Sequence, residues 1–294
     1  MKKLSVLLCF LMTLFLLGGC HSTNSPAQVA ATTLPVYEFT TALCQSTPIR
    51  VTRLITEDVS CLHDYTLQVS QMRAMEAAEV IVISGAGLED FLPLDAQSNG
   101  VIDASQGISL LSGQDLHDHS HEHDHTHDHN HDPHIWLSVA NARIMAANIC
   151  IGLCERYPEH EETIQSNLVS LNTEFDALER YAYDSLSSLS CRELITFHDG
   201  FAYLAHSYNL EILEAIEEES GSEASASELI ALIRLVDKHK LPAIFTEKSG
   251  SSSAAAIISS ETGTDVYTLD MAMSGSSYFE AMYHNINTLK GALE

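Results

Sequence analysis

The most chemically informative residues of this chain are histidines. Residues 117–134 contain nine of its sixteen histidines, interleaved with five carboxylates. Neutral imidazole is the commonest protein ligand for zinc, copper and nickel. The run has no apolar side chains with which to build a core, so we expect a solvated loop over residues 117–133. We predict auxiliary metal binding by His117, His119, His121, His123, His125, His127, His129 and His131. A plain linker would more often use Gly, Ser or Pro.

Three further histidines and one aspartate stand at positions where α/β folds place ligands. His63 follows the second predicted strand, His134 ends the histidine-rich run, and His198 directly follows the strand LITF. Asp270 ends the last predicted strand. Ligands in open α/β sheets bind just beyond the carboxyl ends of the strands. Zinc takes about four N, S or O ligands at roughly 2.0–2.3 Å. We therefore predict one metal site formed by these four residues, with a water as the alternative fourth ligand.

Each of these residues also has a structural interpretation. A lone histidine after a strand is often a cap or a surface residue, and Asp270 could be a helix N-cap. Glu247 also ends a predicted strand, and its position favours a supporting or structural role over direct metal binding.

The elements that must position these residues alternate between strand and helix in both halves of the chain. Strands are predicted at 28–33, 49–55, 80–84 and 101–104, and again at 193–197, 210–215, 243–246 and 266–269. Helices are predicted at 37–44, 67–78, 200–207, 225–239, 252–262 and 278–293. Such alternation implies parallel sheets covered by helices. Between the halves, the pattern is helical from 138 to about 189, interrupted only by Pro158.

The predicted fold class is therefore α/β, with two Rossmann-like lobes joined by one long rigid helix and a metal cleft between the lobes. The predicted boundaries are 28–157 for the N-terminal lobe, 158–190 for the linking helix and 191–294 for the C-terminal lobe.

The N-terminus is typical of an export signal, predicted over residues 1–19. Lys2 and Lys3 precede an apolar run that is shorter than the roughly 20 residues of a transmembrane helix. The sequence LGGC that ends at Cys20 resembles a bacterial lipobox, and residues 20–27 would form the lipidated cysteine and its tether. We expect a protein anchored by lipid to the extracytoplasmic face of the cell membrane. The alternative is an ordinary signal peptide with an accidental cysteine.

Charge and cysteine content narrow the class of protein further. The net charge of −26 disfavours nucleic acid as a partner and attracts cations. Besides Cys9 and Cys20 the chain has five cysteines, an odd number that cannot pair completely: Cys44, Cys61, Cys150, Cys154 and Cys191. A disulfide between Cys44 and Cys61 is one possibility, and buried thiols are the alternative for the others.

Four sequence blocks resemble those of the metal-specific substrate-binding proteins of bacterial ABC importers, in the zinc and manganese branch. They read HDYTLQVSQMRAMEAAEVIVISGAGLEDFL, DPHIWLSVANARIMAANI, LITFHDGFAYLAHSYNL and IFTEKSGSSSAAAIISSETGTDVYTLD. The resemblance covers nearly all of the chain from about residue 28. It implies two lobes on a backbone helix, and metal ligands at His63, His134, His198 and Asp270. Three segments depart from the usual pattern: LDMAMSG at the end of the last strand, TEKS at 246–249, and Glu223-Ala224-Ser225 in place of the more common Glu-Pro-Ser.

The resemblance also implies partners and a cargo. The partners are a membrane permease and its ATPase, and the histidine-rich loop and His198 are typical of zinc-importing members. Three nitrogen donors favour Zn²⁺ over Mn²⁺, although copper and nickel would bind at least as well by affinity alone. We predict a monomeric metal-binding receptor that is not an enzyme, with Mn²⁺ as the alternative cargo. The other functions considered are a surface adhesin, a zinc-storage protein, and a zinc hydrolase with Glu247 or Asp199 as general base. No H-E-x-x-H signature supports the hydrolase.

Overall fold

The computed structural model describes residues 28–59, 62, 65–93, 100–111, 131–216, 224–248, 250 and 252–294. Two four-stranded parallel sheets form its framework. The predicted fold class, two parallel-sheet α/β lobes with a long helix between them, is confirmed.

The first sheet has the strand order β2–β1–β3–β4, with every pair parallel. Its strands are β1 (Gln28–Ala31), β2 (Arg50–Arg53), β3 (Val80–Ile83) and β4 (Gly100–Asp103). Helices α1 (Leu34–Leu43) and α2 (Val69–Ala77) connect the first three strands. The continuous apolar run of β3 is largely buried, as expected for a central parallel strand covered on both faces.

The second sheet repeats this arrangement with the order β6–β5–β7–β8, again fully parallel. Its strands are β5 (Glu193–Thr196), β6 (Glu211–Ala215), β7 (Ala243–Glu247) and β8 (Asp265–Leu269). The helices of this lobe are α5 (Ala202–Ser207), α6 (Ala226–His239), α7 (Ser253–Thr262) and α8 (Tyr278–Leu293). A capping box begins α6, in which Ser225 Oγ accepts from the Glu228 N–H and the Glu228 carboxylate accepts from the Ser225 N–H.

Two helices connect the sheets, α3 (Val139–Arg156) and α4 (Glu161–Leu186), separated by a short turn at Pro158–His160. Proline has no backbone N–H and clashes with the preceding helical turn, so it begins a new helix here instead of continuing the old one. At 1.5 Å per residue, the 26 residues of α4 span roughly 39 Å. The predicted break at Pro158 and the long helix after it are confirmed.

A cluster of aromatic rings holds the two lobes against α4. Phe39 of α1, Phe175 of α4 and Tyr278 of α8 are all fully buried. The ring centroid of Phe39 lies 5.2 Å from that of Phe175 and 5.0 Å from that of Tyr278, both in edge-to-face geometry. Such pairs add about 0.5–1.5 kcal/mol beyond the area they bury. The long helix is therefore packed against both lobes and is part of their shared core.

The carboxyl ends of the two sheets face each other. Arg53, the last residue of β2, donates from its guanidinium to the carbonyl oxygens of Met273 and Gly275, each at 2.9 Å. Both carbonyls belong to the loop that follows β8. This contact between the lobes places the two sets of strand ends around a common space, which is where α/β folds bind ligands.

The cysteine prediction needs one correction. Cys44 is a free, buried thiol at the C-terminal end of α1, so the suggested disulfide with Cys61 is wrong. Its side chain belongs to the hydrophobic core, and burial raises the pKa of the thiol to about 12. Cys61 lies outside the described residues. Cys150, Cys154 and Cys191 are also free thiols.

None of the helices in the described part of the chain is long and apolar enough to cross a bilayer.

A buried carboxylate closes the loop after β3. Glu89 accepts hydrogen bonds from the Thr32 hydroxyl at 2.6 Å, the Ser84 N–H at 2.8 Å and the Gly85 N–H at 3.0 Å. Burial raises its pKa to about 7, and the nearby Asp103 acts in the same direction, against the lowering effect of the three hydrogen bonds. Glu89 therefore changes its protonation in the folded protein near neutral pH.

This gives a testable dependence of stability on pH. A carboxyl whose folded pKa exceeds its unfolded value of 4.5 contributes stability that is complete below 4.5 and is lost as the pH rises through about 7. Relative to Glu89→Gln, the free energy of unfolding of the wild type should fall by about 3 kcal/mol at most over this range. Urea unfolding at several pH values measures the difference. Glu76→Gln, at an exposed position of α2, is the control and should follow the wild type. Parallel curves for the wild type and Glu89→Gln would contradict the assignment.

Candidate metal site

His134 lies just before α3 and is almost completely buried. It precedes the short helical turn Ile135–Leu137, and its ring meets that of Trp136 edge-on at 5.4 Å. Its Nδ1 lies 2.8 Å from Oδ1 of Asp132, and its backbone N–H donates to the same oxygen, also at 2.8 Å. Because Nδ1 is engaged with the carboxylate, Nε2 is the ring nitrogen that can offer a lone pair to a cation.

His198 approaches His134 from the second lobe. It comes two residues after the end of β5 and starts the helical turn Asp199–Phe201. Its Nε2 lies 3.5 Å from Nε2 of His134, and the two ring planes are inclined at 83°. Two nitrogens at about 2.05 Å from one tetrahedral ion would be roughly 3.3 Å apart. The observed separation is close to that value, so one small divalent cation can bind both rings.

Asp199 provides a third donor at the same point. Its Oδ1 lies 3.9 Å from Nε2 of His198. One ligand atom each from His134, His198 and Asp199 all lie within 4.8 Å of one another. These three form the one group of at least three such donors found within the described residues. Two imidazole nitrogens and a carboxylate oxygen suit zinc better than magnesium or calcium, which prefer oxygen ligands alone.

Gly200 makes this close approach of the two rings possible. A Cβ atom at this position would lie 2.9 Å from Nδ1 of His134, 2.9 Å from Cδ2 of His198 and 2.5 Å from the terminal methyl of Met271. Any larger residue would have to push the imidazoles aside. The His-Asp-Gly sequence thus provides two donors and the space in which they meet.

Carboxylates surround the two histidines. Glu247, the last residue of β7, is buried with its Oε2 3.9 Å from Nδ1 of His198. Burial raises the pKa of Glu247 to about 7, with a further increase from Asp270 and a decrease from His134. Burial would lower the pKa of His134, but the hydrogen bond to Asp132 and the surrounding carboxylates outweigh it and raise that pKa. The site is therefore electronegative before any cation enters, and Glu247 lies beside His198.

Asp270 follows β8, as predicted, but its carboxylate is engaged elsewhere. Its Oδ2 lies 3.2 Å from Nζ of Lys248, and its Oδ1 accepts from the Ala272 N–H at 2.8 Å. The buried amide of Asn285 holds its backbone, accepting from the Asp270 N–H and donating to the Asp270 carbonyl, both at 2.7 Å. Asp270 is not part of the group whose donor atoms lie within 4.8 Å. In this structure the Asp270 carboxylate is thus engaged by Lys248 and by the Ala272 N–H.

Several predicted site residues lie outside the described residues. They are Cys20, His63, His117, His119, His121, His123, His125, His127 and His129. His131 is described and exposed, one residue before Asp132. Of the four predicted ligands, the structure brings His134 and His198 together and places Asp270 nearby with a different partner.

Asp199 was named from the sequence only as a possible general base for the hydrolase alternative, and not as a candidate metal ligand. Here His198 and Asp199 lie at a helical turn, where neighbouring donors can share a site. The sequence feature that could have identified Asp199 is Gly200, because a glycine at this place predicts a tight turn. The roles of Asp132 and Lys248 depend on contacts that the sequence does not show.

The sequence and the fold are similar to those of known proteins. The family model described as "ZnuA: Zinc-uptake complex component A periplasmic" matches residues 29–292. A relative from Treponema pallidum (strain Nichols) is 30% identical over 306 residues, covering 98% of this chain and 96% of that protein. The "High-affinity zinc uptake system protein ZnuA" of Bacillus subtilis (strain 168) is 28% identical over 290 residues, covering 94% of this chain and 90% of that protein.

A solved structure gives the same result at the level of the fold. The crystal structure of ZnuA superimposes with a TM-score of 0.77 at 26% sequence identity. The match covers 91% of this chain and all of the other, including both lobes.

Proposed function

The chain belongs to the family of periplasmic zinc-uptake components, and from this premise we propose that it captures one Zn²⁺ between its lobes for an ABC importer. The ligands are His134, His198, His63 and a carboxylate. The observation that carries the proposal is the 3.5 Å separation between the Nε2 atoms of His134 and His198, which suits one tetrahedral ion.

Asp199 is the carboxylate that the described geometry favours. One of its carboxylate oxygens is within 4.8 Å of a ring nitrogen of each histidine, whereas Asp270 is paired with Lys248. Asp270 is the ligand that the family resemblance implies, and its carboxylate would exchange the contact with Lys248 for the metal. We therefore propose that Asp199 binds in the arrangement seen here and that Asp270 binds after such an exchange.

The donor set supports zinc as the cargo in preference to manganese. Imidazole nitrogens are borderline ligands, for which zinc ranks well above manganese in affinity. Copper and nickel would compete on affinity alone, so their exclusion depends on geometry and availability. Mn²⁺ is the alternative cargo.

Segments outside the metal site are suited to delivering zinc to the importer. We propose that Cys20 carries the lipid, that residues 20–27 are the tether, and that the histidine-rich loop is a weaker collector of zinc. The net charge of −26 favours the approach of cations over that of nucleic acid. The partners would be a permease and its ATPase, which receive the metal at the membrane.

Metal content tests the proposal directly. Purified protein should retain about one equivalent of zinc after chelation of weakly bound ions, as measured by elemental analysis. The zinc contents of Asp199→Asn and Asp270→Asn, measured in the same way, identify which carboxylate is needed to retain the metal. A strain that lacks the protein should grow poorly in zinc-depleted medium, and added zinc should restore its growth.

Two outcomes would contradict the assignment. If the protein retains manganese tightly and does not bind zinc, the cargo is Mn²⁺ and not Zn²⁺. If the protein binds zinc fully but a strain that lacks it grows normally in zinc-depleted medium, storage or adhesion would be favoured over import.

A further inference from the structure

The carboxylate of Asp132 faces His134 on the side away from the proposed metal. It is nearly buried, with 7% of the side chain exposed, and its Oδ1 contacts both the ring Nδ1 and the backbone N–H of His134. Its other oxygen, Oδ2, is buried with no hydrogen-bond donor in reach among the described residues. Among the described residues, the imidazole of His134 is thus the one side-chain donor to this carboxylate.

The backbone of Asp132 is held in place from both sides. Its N–H donates to the Leu111 carbonyl at 3.1 Å, and its carbonyl accepts from the Tyr203 hydroxyl at 3.1 Å. The same hydroxyl accepts from the Leu111 N–H at 2.9 Å. Tyr203 lies on α5 in the second lobe, just after the turn that carries His198. Asp132 is therefore fixed relative to both histidines.

These contacts determine which nitrogen of His134 carries the proton. An ionised carboxylate can only accept, so the ring must donate through Nδ1–H, and the lone pair is on Nε2. Nε2 is the atom 3.5 Å from Nε2 of His198. A histidine free in water prefers the opposite tautomer, with its proton on Nε2, which would block the ligand position.

We propose that Asp132 is the positioning residue of the metal site, holding His134 in the tautomer that presents Nε2 and strengthening it as a zinc donor. This inference rests on the proposed function. Carboxylates that accept a hydrogen bond from a metal-binding histidine fix the tautomer and ring orientation, and their loss typically lowers metal affinity about 10–100-fold.

The tautomer can be measured without any metal. In the metal-free full-length chain with ¹⁵N-labelled histidine, two-bond ¹H–¹⁵N correlation spectra distinguish Nδ1–H from Nε2–H rings. The His134 signals are assigned as those missing from His134→Gln, at a pH where the ring is neutral. The wild type should show the Nδ1–H form, and the Nε2–H form in the wild type would overturn the proposal whatever any variant does.

Two substitutions separate orientation from charge. Asp132→Leu cannot accept a hydrogen bond, so the Nε2–H form should appear and zinc affinity should fall about 10–100-fold. Asp132→Asn keeps an oxygen that accepts from Nδ1–H, so the tautomer should persist with a smaller loss of affinity. Asp184→Leu, at an exposed position of α4, controls for the loss of a surface charge and should change neither measurement. Circular dichroism confirms that each variant is folded.

The outcomes distinguish this inference from the proposed function. Tight zinc binding by Asp132→Leu, with the Nδ1–H form retained, would overturn the role of Asp132 and leave the receptor assignment intact. A wild type that does not bind zinc would overturn the proposed function, while the tautomer spectra would still report on Asp132.

Discussion

Replacing His134 or His198 with alanine should lower zinc affinity by more than about a hundredfold, because removing a direct ligand costs more than removing its supporting carboxylate. Both rings meet at one point, so neither substitution leaves a complete site. Isothermal titration of the metal-free protein, in the presence of a competing chelator, measures the loss. Trp136 is the only tryptophan in the chain and contacts the ring of His134, so its fluorescence reports binding independently.

The controls for this prediction come from the other histidines. His206→Ala, at an exposed position of α5, removes an imidazole without touching the site and should bind zinc like the wild type. His63→Ala should match His134→Ala, if the third predicted ligand reaches the same ion. Deletion of residues 117–131 should remove weak additional sites and leave tight one-to-one binding. This division of roles would be refuted if deleting residues 117–131 abolished tight zinc binding while His134→Ala and His198→Ala retained it.

Much of the fold could be predicted because its signals are local. The apolar run of β3 and the break at Pro158 each depend on a few neighbouring residues, and both appear where the sequence placed them. Helix α8 begins and ends at the predicted residues, since Ser277 accepts from the Glu280 N–H and caps it. Strand ends differ by one or two residues, because pairing with a neighbouring strand determines where each ends.

The candidate site was predictable only in part, because its contacts join distant segments. His134 and His198 could be named from their places at the ends of elements, and the structure brings them together across 64 residues of sequence. The ion pair of Asp270 with Lys248 depends on the packing of β7 beside β8, which no local pattern specifies. The TEKS segment, which departs from the family pattern, contains Lys248, and this lysine forms the ion pair with Asp270.

Trp136 links the two lobes beside the metal site. Its indole is fully buried, and Nε1 donates to the Met271 carbonyl at 2.8 Å. Its own carbonyl accepts from the Tyr278 hydroxyl at 2.9 Å. Met271 lies in the loop that starts at Asp270, and Tyr278 begins the helix after it, so Trp136 links the segment of His134 to that loop.

Trp136→Ala should therefore lower the free energy of unfolding by about 3–5 kcal/mol, the usual cost of removing a buried tryptophan and leaving a cavity. The loss of the Met271 partner is part of that cost. Trp136→Phe keeps most of the ring and removes only the N–H donor, so it should lose about 1–3 kcal/mol. Urea unfolding followed by circular dichroism measures both.

The exposed Tyr183 provides the matched control, and Tyr183→Ala should change the free energy of unfolding by less than about 0.5 kcal/mol. Zinc should also stabilise Trp136→Ala less than it stabilises the wild type, because weaker binding gives a smaller stabilisation at the same zinc concentration. An equal zinc-induced increase in both proteins would show that Trp136 supports only the core. A smaller increase would show that packing behind His134 is part of what makes the site tight.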